Sequence, residues 1–189
     1  MTKELYFVVG INGVGKSEIS KEVSSKLDWL YISSSDLLKA AAGVKSSREL
    51  ENFDQNQLNQ IFVCALLVTL EESKNPIILD THSVIFLEDG SQDFTENPEL
   101  YQYARAILDI QADPQIISER IYTDNETGKR IRLLSVDPID IKERQSTSSW
   151  AASNMAQHGN FKHVIIENNK SLEEAVEKMC QEIKIIHNE

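Results

Sequence analysis

The chain has 189 residues, the length of one ordinary domain, and 41% of them are hydrophobic, enough to build a substantial core. Its 30 acidic against 19 basic side chains give a formal charge of −11, which disfavours generic nucleic-acid binding but leaves room for a small phosphorylated ligand in a locally basic cleft. Cys64 and Cys180 show neither metal spacing nor the density of a disulfide scaffold, no apolar run approaches the roughly 20 residues of a membrane helix, and the N-terminus does not read as a signal peptide, so a cytoplasmic location without a membrane partner is expected.

Leu5 to Val9 is a short apolar, β-rich run bounded by Gly10 and reads as a buried parallel strand. Ser17 to Leu27 follows as a helix, with Ile19, Val23 and Leu27 on one face. Trp29 to Ile32 is the second strand, and Ser33-Ser-Ser-Asp36 caps a helix that runs to Ala42 and stops at Gly43. Asp54 with Gln57 resembles a capping box for a longer helix carrying Leu58, Ile61, Phe62, Ala65 and Leu66.

Ile77 to Leu79 reads as a third strand ending at Asp80, and Ala106 to Ile110 as a fourth, with Asp113-Pro114 opening the next helix. Val164 to Ile166 is the fifth strand, and Leu172 to Ile186 closes the chain as an amphipathic helix. Phe86 to Pro98 and Tyr122 to Pro138 read as mobile excursions. Alternation of this kind implies right-handed crossovers and a parallel sheet covered on both faces, with ligands at the carboxyl ends of the strands. No repeat or linker marks a second domain, so residues 1–189 read as one unit with acceptor-binding helices at about 33–73 and a lid at about 120–138.

The most specific signal is Gly10-Ile-Asn-Gly-Val-Gly-Lys-Ser17, which fits G-x-x-x-x-G-K-S between a strand and a helix. Glycines at 10, 13 and 15, with Asn12 and Val14 between them, let successive backbone N–H groups point inward, and the following helix adds its positive end. Lys16 is expected to reach the β- and γ-phosphates of ATP, and Ser17 to bind Mg²⁺. Asp80, at the end of a strand on the same sheet edge, is the second metal carboxylate. His82 follows in Asp80-Thr-His-Ser83 and is a candidate to position the acceptor. Asp36 and Lys39 face the acceptor from the helix after the second strand.

Phosphoryl transfer needs charge stabilisation and exclusion of water. Arg120, Lys129, Arg130, Arg132 and Arg144 cluster around the second excursion and suit a cationic lid. On these grounds Lys16 and Asp80 are the catalytic candidates, the arginines count as one cationic cluster, and Arg144 is a candidate on the acceptor side.

Together these segments resemble the nucleoside monophosphate kinases, and among them the archaeal-type adenylate kinase family, over nearly the whole chain. The resemblance rests on the glycine loop, Asp80-Thr-His-Ser83, the arginines from 120 to 132, Ile141-Lys-Glu-Arg-Gln145 and Val164-Ile-Ile-Glu-Asn-Asn169. It implies a three-layer P-loop NTPase fold with a five-stranded parallel sheet, a lid and acceptor-binding helices, and transfer of the ATP γ-phosphate to a nucleoside monophosphate such as AMP. It also implies that Arg120 lies against the ATP base or phosphates, that Arg130 and Arg132 meet the transferred group, and that Asn168 and Asn169 sit near the adenine. Lys39 stands where many adenylate kinases have arginine, and the acidic segment Glu88 to Asp93 departs from the family pattern. Two other readings stay open: a kinase of a nucleoside or other small metabolite with Asp36 as general base, and an ATP-binding switch or assembly factor with slow hydrolysis. A homo-oligomer is compatible with all of them.

Overall fold

Every residue of β1 (Leu5–Val9) is buried, as a central parallel strand requires. The computed structural model describes residues 3–87, 90–127 and 135–189. From β1 the chain runs through α1 (Lys16–Leu27) to β2 (Leu30–Ser33) and α2 (Ser34–Ala42), then through a 3₁₀ turn (Ser47–Asn52) into α3 (Gln55–Glu72) and β3 (Ile77–Asp80). A small hairpin of β4 (Val84–Phe86) and β5 (Gln92–Phe94) and a second 3₁₀ turn (Pro98–Tyr103) lead to β6 (Ala104–Gln111). The remainder is α4 (Pro114–Glu126), α5 (Pro138–Gly159), β7 (Lys162–Glu167) and α6 (Leu172–His187).

The main sheet has the order β2-β3-β1-β6-β7 and all its pairings are parallel. β1 continues to strands on one side and, later in the chain, to strands on the other. The loop after β1 therefore sits at the point where the strand order reverses, which is where open α/β sheets bind ligands.

Period-two alternation divides the core. Tyr6 and Val8 point into one layer with Ile19 and Val23 of α1 and Met179 and Ile183 of α6. Leu5, Phe7 and Val9 point into the other with Leu66 and Leu70 of α3 and Met155 of α5. Truncating a fully buried side chain such as Leu70 to alanine costs about 2–5 kcal/mol.

The helix ends follow local chemistry. Asp54 accepts from Gln57 N, and the Gln57 side chain accepts from Asp54 N, completing the capping box on α3. Asp113 caps α4 and Asp137 caps α5, each followed by proline at the first helical position. Gly43, at φ +70°, ends α2 in the left-handed conformation.

The stretch Phe86 to Pro98 is not simply an excursion. Residues 92–94 pair antiparallel with β4, with Val84 opposite Phe94, and Phe94 packs edge-on against Trp150 of α5 with ring centroids 5.9 Å apart. Likewise α4 continues to Glu126, so the first five residues of the stretch beginning at Tyr122 are helical. Residues 128–134, which carry Lys129, Arg130 and Arg132, lie outside the described residues.

Candidate active site

The carboxyl edge of the sheet carries a cavity of about 1030 Å³ between α1, α2 and α4. Its floor is made by Ile11, Asn12, Gly13, Gly15, Lys16 and Ser17 of the glycine loop. Gly10 has φ +135° and a Cβ there would stand 2.4 Å from Ile110 O; Gly15 has φ +93° and a Cβ would stand 2.6 Å from Asn168 Nδ2. Both positions combine a left-handed backbone with a close neighbour, so no other residue fits without displacement. Gly15 is also the residue that starts α1, and the first N–H groups of that helix open toward the cavity.

Lys16 is almost buried and its Nζ donates to Ile11 O at 3.2 Å, which lays the amine across the mouth of the loop. Ser17 Oγ donates to Asp80 Oδ2 at 2.5 Å. The hydroxyl and carboxylate that are expected to share a metal therefore converge although they come from α1 and β3. Such a pair suits Mg²⁺, which takes one or two protein oxygens and completes its shell with water and phosphate. The glycine cradle, the amine and this oxygen pair together fit a magnesium nucleotide.

Asn168, at the end of β7, donates from Nδ2 to Val14 O at 2.7 Å and covers Gly15. Arg120 of α4 donates from one terminal nitrogen to Asn168 O at 3.0 Å and lies 3.5 Å from Val14 O with the other. Burial lowers the pKa of its guanidinium. Arg120 thus lines the same cavity. Asn169 accepts from Asp113 N at 2.6 Å and fixes the start of α4 against the same loop.

The wall expected from sequence to hold the acceptor is Ser33 to Asp36 with Lys39, all of which line the cavity. Lys39 Nζ pairs with Asp36 Oδ1 at 2.8 Å, and this hydrogen bond holds the Asp36 carboxyl below its ordinary range. Lys21 of α1 lines the same wall, with its amine 5.5 Å above the centre of the Tyr31 ring.

His82 lines the cavity beside Lys16. The lysine charge, followed by burial, lowers its pKa to about 3, while a hydrogen bond to the Gly10 backbone pulls the other way. The imidazole is therefore neutral throughout the working range. The next residue anchors the loop: Ser83 Oγ donates to Ser148 O at 2.8 Å in the buried contact with α5.

Of the residues expected from sequence, the cavity gathers Asn12, Gly13, Gly15, Lys16, Ser17, Asp36, Lys39, Asp80, His82, Arg120 and Asn168, while Gly10 and Val14 do not line it. Arg144 is elsewhere: its guanidinium donates to the carbonyls of Asp140 and Ser135 at the start of α5. Arg105 is at the opposite edge of the sheet, where it donates to Ile186 O and faces Glu4. Arg130 and Arg132 fall in 128–134, outside the described residues.

Sequence reading missed Tyr31, whose hydroxyl donates to Asp80 Oδ2 at 3.1 Å, and Lys21. Strand parity carries the signal for the first: Tyr31 is opposite Ile78 and Ser33 opposite Asp80, so all four are on one face of the sheet.

This sheet order, with a glycine loop at the reversal point, defines the P-loop kinase fold. The chain belongs to the AAA domain family AAA_17, which matches residues 9–139. A bifunctional shikimate kinase/3-dehydroquinate synthase from Thermotoga maritima is 28% identical over 131 residues, covering 67% of this chain. The chain spans only about a quarter of that protein, 25% of its length. Among solved structures, the shikimate kinase of Acinetobacter baumannii in complex with shikimate gives a TM-score of 0.60 at 16% identity, covering 100% of this chain and 96% of its own. The shikimate kinase of Bacteroides thetaiotaomicron gives 0.60 at 13% identity over 96% and 98% of the two chains. At these identities the structural likenesses establish the fold. No described helix is long and apolar enough to cross a membrane.

Proposed function

We propose that this chain is an ATP-dependent kinase of a small hydroxyl-bearing metabolite. The observation that carries the reading is the placing of one ionised carboxylate, Asp36, on the wall facing the glycine loop, Lys16 and the Ser17–Asp80 pair. Similarity to proteins named as shikimate kinases supports a small metabolite as acceptor over the nucleoside monophosphate suggested by sequence. Lys39 points the same way, because its amine is committed to Asp36.

In this reading the acceptor hydroxyl oxygen forms a bond to the γ-phosphorus of ATP as the bond from that phosphorus to the β,γ-bridging oxygen breaks, and ADP leaves. Asp36 accepts the hydroxyl proton. Lys16, the loop N–H groups and Arg120 bind and orient the phosphates and offset their charge. Ser17 and Asp80 would hold Mg²⁺, which would supply charge neutralisation for the phosphates. Arg130 and Arg132 are proposed to complete the cationic side.

A monophosphate acceptor is the second reading, favoured by the Lys21 amine on the acceptor wall. Assay of acceptor-dependent ADP formation with hydroxylated metabolites and nucleoside monophosphates in parallel tests the choice. Turnover confined to monophosphates overturns the first reading.

A further inference from the structure

Asp80 Oδ2 accepts two hydrogen bonds, from Ser17 Oγ at 2.5 Å and from Tyr31 Oη at 3.1 Å. The donors come from different elements, α1 and β2, on the two sides of the carboxylate. We propose that Tyr31 is a positioning residue for the metal-binding carboxylate, fixing the plane of Asp80 so that its remaining lone pairs face the magnesium site. The inference rests on the reading of the cavity as a magnesium nucleotide site.

With a single donor a carboxylate can turn about its Cβ–Cγ bond, and a hydroxyl such as Ser17 has freedom of its own. A second donor on a rigid strand removes that freedom. Tyr31 is suited to the task for three reasons. Its backbone is in register with Ile78, two residues before Asp80, so ring and carboxylate share a face of the sheet. The Lys21 amine stands over the ring and holds it by a cation–π contact. A phenol carries its own O–H, so it meets the carboxylate as a donor. A phenol also supports the carboxylate without adding a positive charge that would compete with the metal.

Tyr31 is the last residue but one before Ser33, which caps the helix carrying Asp36. Acceptor wall and metal carboxylate are therefore connected through one short stretch of β2, and the phenol is their point of contact.

The test is calorimetric titration of ADP, with and without Mg²⁺, into the unaltered chain, Tyr31→Phe, Asp80→Asn and the double variant. Tyr31→Phe is expected to weaken Mg²⁺ binding to the ADP complex about tenfold, the scale of one hydrogen bond to a charged group, and to leave Mg²⁺-free ADP affinity unchanged. In the Asp80→Asn background the same change is expected to add nothing, because Tyr31 acts through Asp80. Unchanged Mg²⁺ affinity in Tyr31→Phe, or an equal further loss in the double variant, overturns the inference alone. Absence of ADP binding by the unaltered chain overturns the nucleotide reading and this inference with it. A fluorinated tyrosine at position 31, which keeps the shape and acidifies the hydroxyl, probes the bond should Tyr31→Phe fail to fold. It is expected to shift Mg²⁺ affinity, and no shift overturns the proposal.

Discussion

Ser17 Oγ and Asp80 Oδ2 stand 2.5 Å apart across 63 residues of sequence, brought together because β1 and β3 are adjacent parallel strands. Asp80→Asn keeps the shape and removes the charge that a metal requires. Phosphotransfer is expected to fall by roughly 10²–10³-fold, with the Mg²⁺ requirement moved to higher concentration. A steady-state Mg²⁺ titration measures both, and an unaltered Mg²⁺ profile contradicts the assignment.

In the proposed reading, Asp36 separates acceptor chemistry from nucleotide binding. Asp36→Asn removes the proposed base and the partner of Lys39 at 2.8 Å. The expected result is a loss of roughly 10²–10⁴-fold in kcat with ATP affinity unchanged. Stopped-flow turnover together with calorimetry on ATP checks it. A change confined to KM of the acceptor would assign Asp36 to binding only.

His82 gives the chain a pH signature. In the unfolded chain it titrates near its ordinary value of about 6.5, whereas in the folded chain the Lys16 charge and burial hold it at about 3. Only the unfolded state binds this proton between those values, so its contribution makes stability fall as pH drops from about 6.5 toward 3. Urea unfolding at pH 7, 6 and 5 is expected to show a shallower decline for His82→Gln than for the unaltered chain. Phosphate groups that neutralise Lys16 remove the main cause of the shift. Nucleotide binding is therefore expected to raise the His82 pKa, observable in the imidazole NMR signals.

Gly15→Ala tests the cradle. The added methyl meets Asn168 Nδ2 at 2.6 Å on a backbone at φ +93°, so the bond from Asn168 to Val14 must break or the loop must open. ATP affinity is expected to fall at least tenfold while circular dichroism stays that of the folded chain, since the strain is confined to one loop. Retained affinity contradicts the geometry of the loop.

Much of this architecture is legible in the sequence because parallel strands buried on both faces are apolar runs closed by Gly10, Asp80 or Asp113. The same physics explains the misses. Val84–Phe86 and Gln92–Phe94 are three residues each, one of them polar in composition, and Phe94 is fixed by a contact with Trp150, far away in sequence. Tyr31 reads as one more strand aromatic until the register with β3 shows which face it takes. Arg144 looks like part of a basic cluster, yet its helix turns it onto its own first turn. Proximity in sequence groups the loop residues because the loop is local; it cannot group side chains whose partners arrive from other strands.

The most direct test is a coupled assay of ADP formation over a panel of small hydroxylated metabolites, nucleosides and nucleoside monophosphates, run on the unaltered chain, Lys16→Met and Asp36→Asn. The account predicts turnover that requires a hydroxylated metabolite, saturates with it, and is lost in both variants. Slow ATP hydrolysis that is indifferent to every acceptor, and untouched by Asp36→Asn, would contradict it.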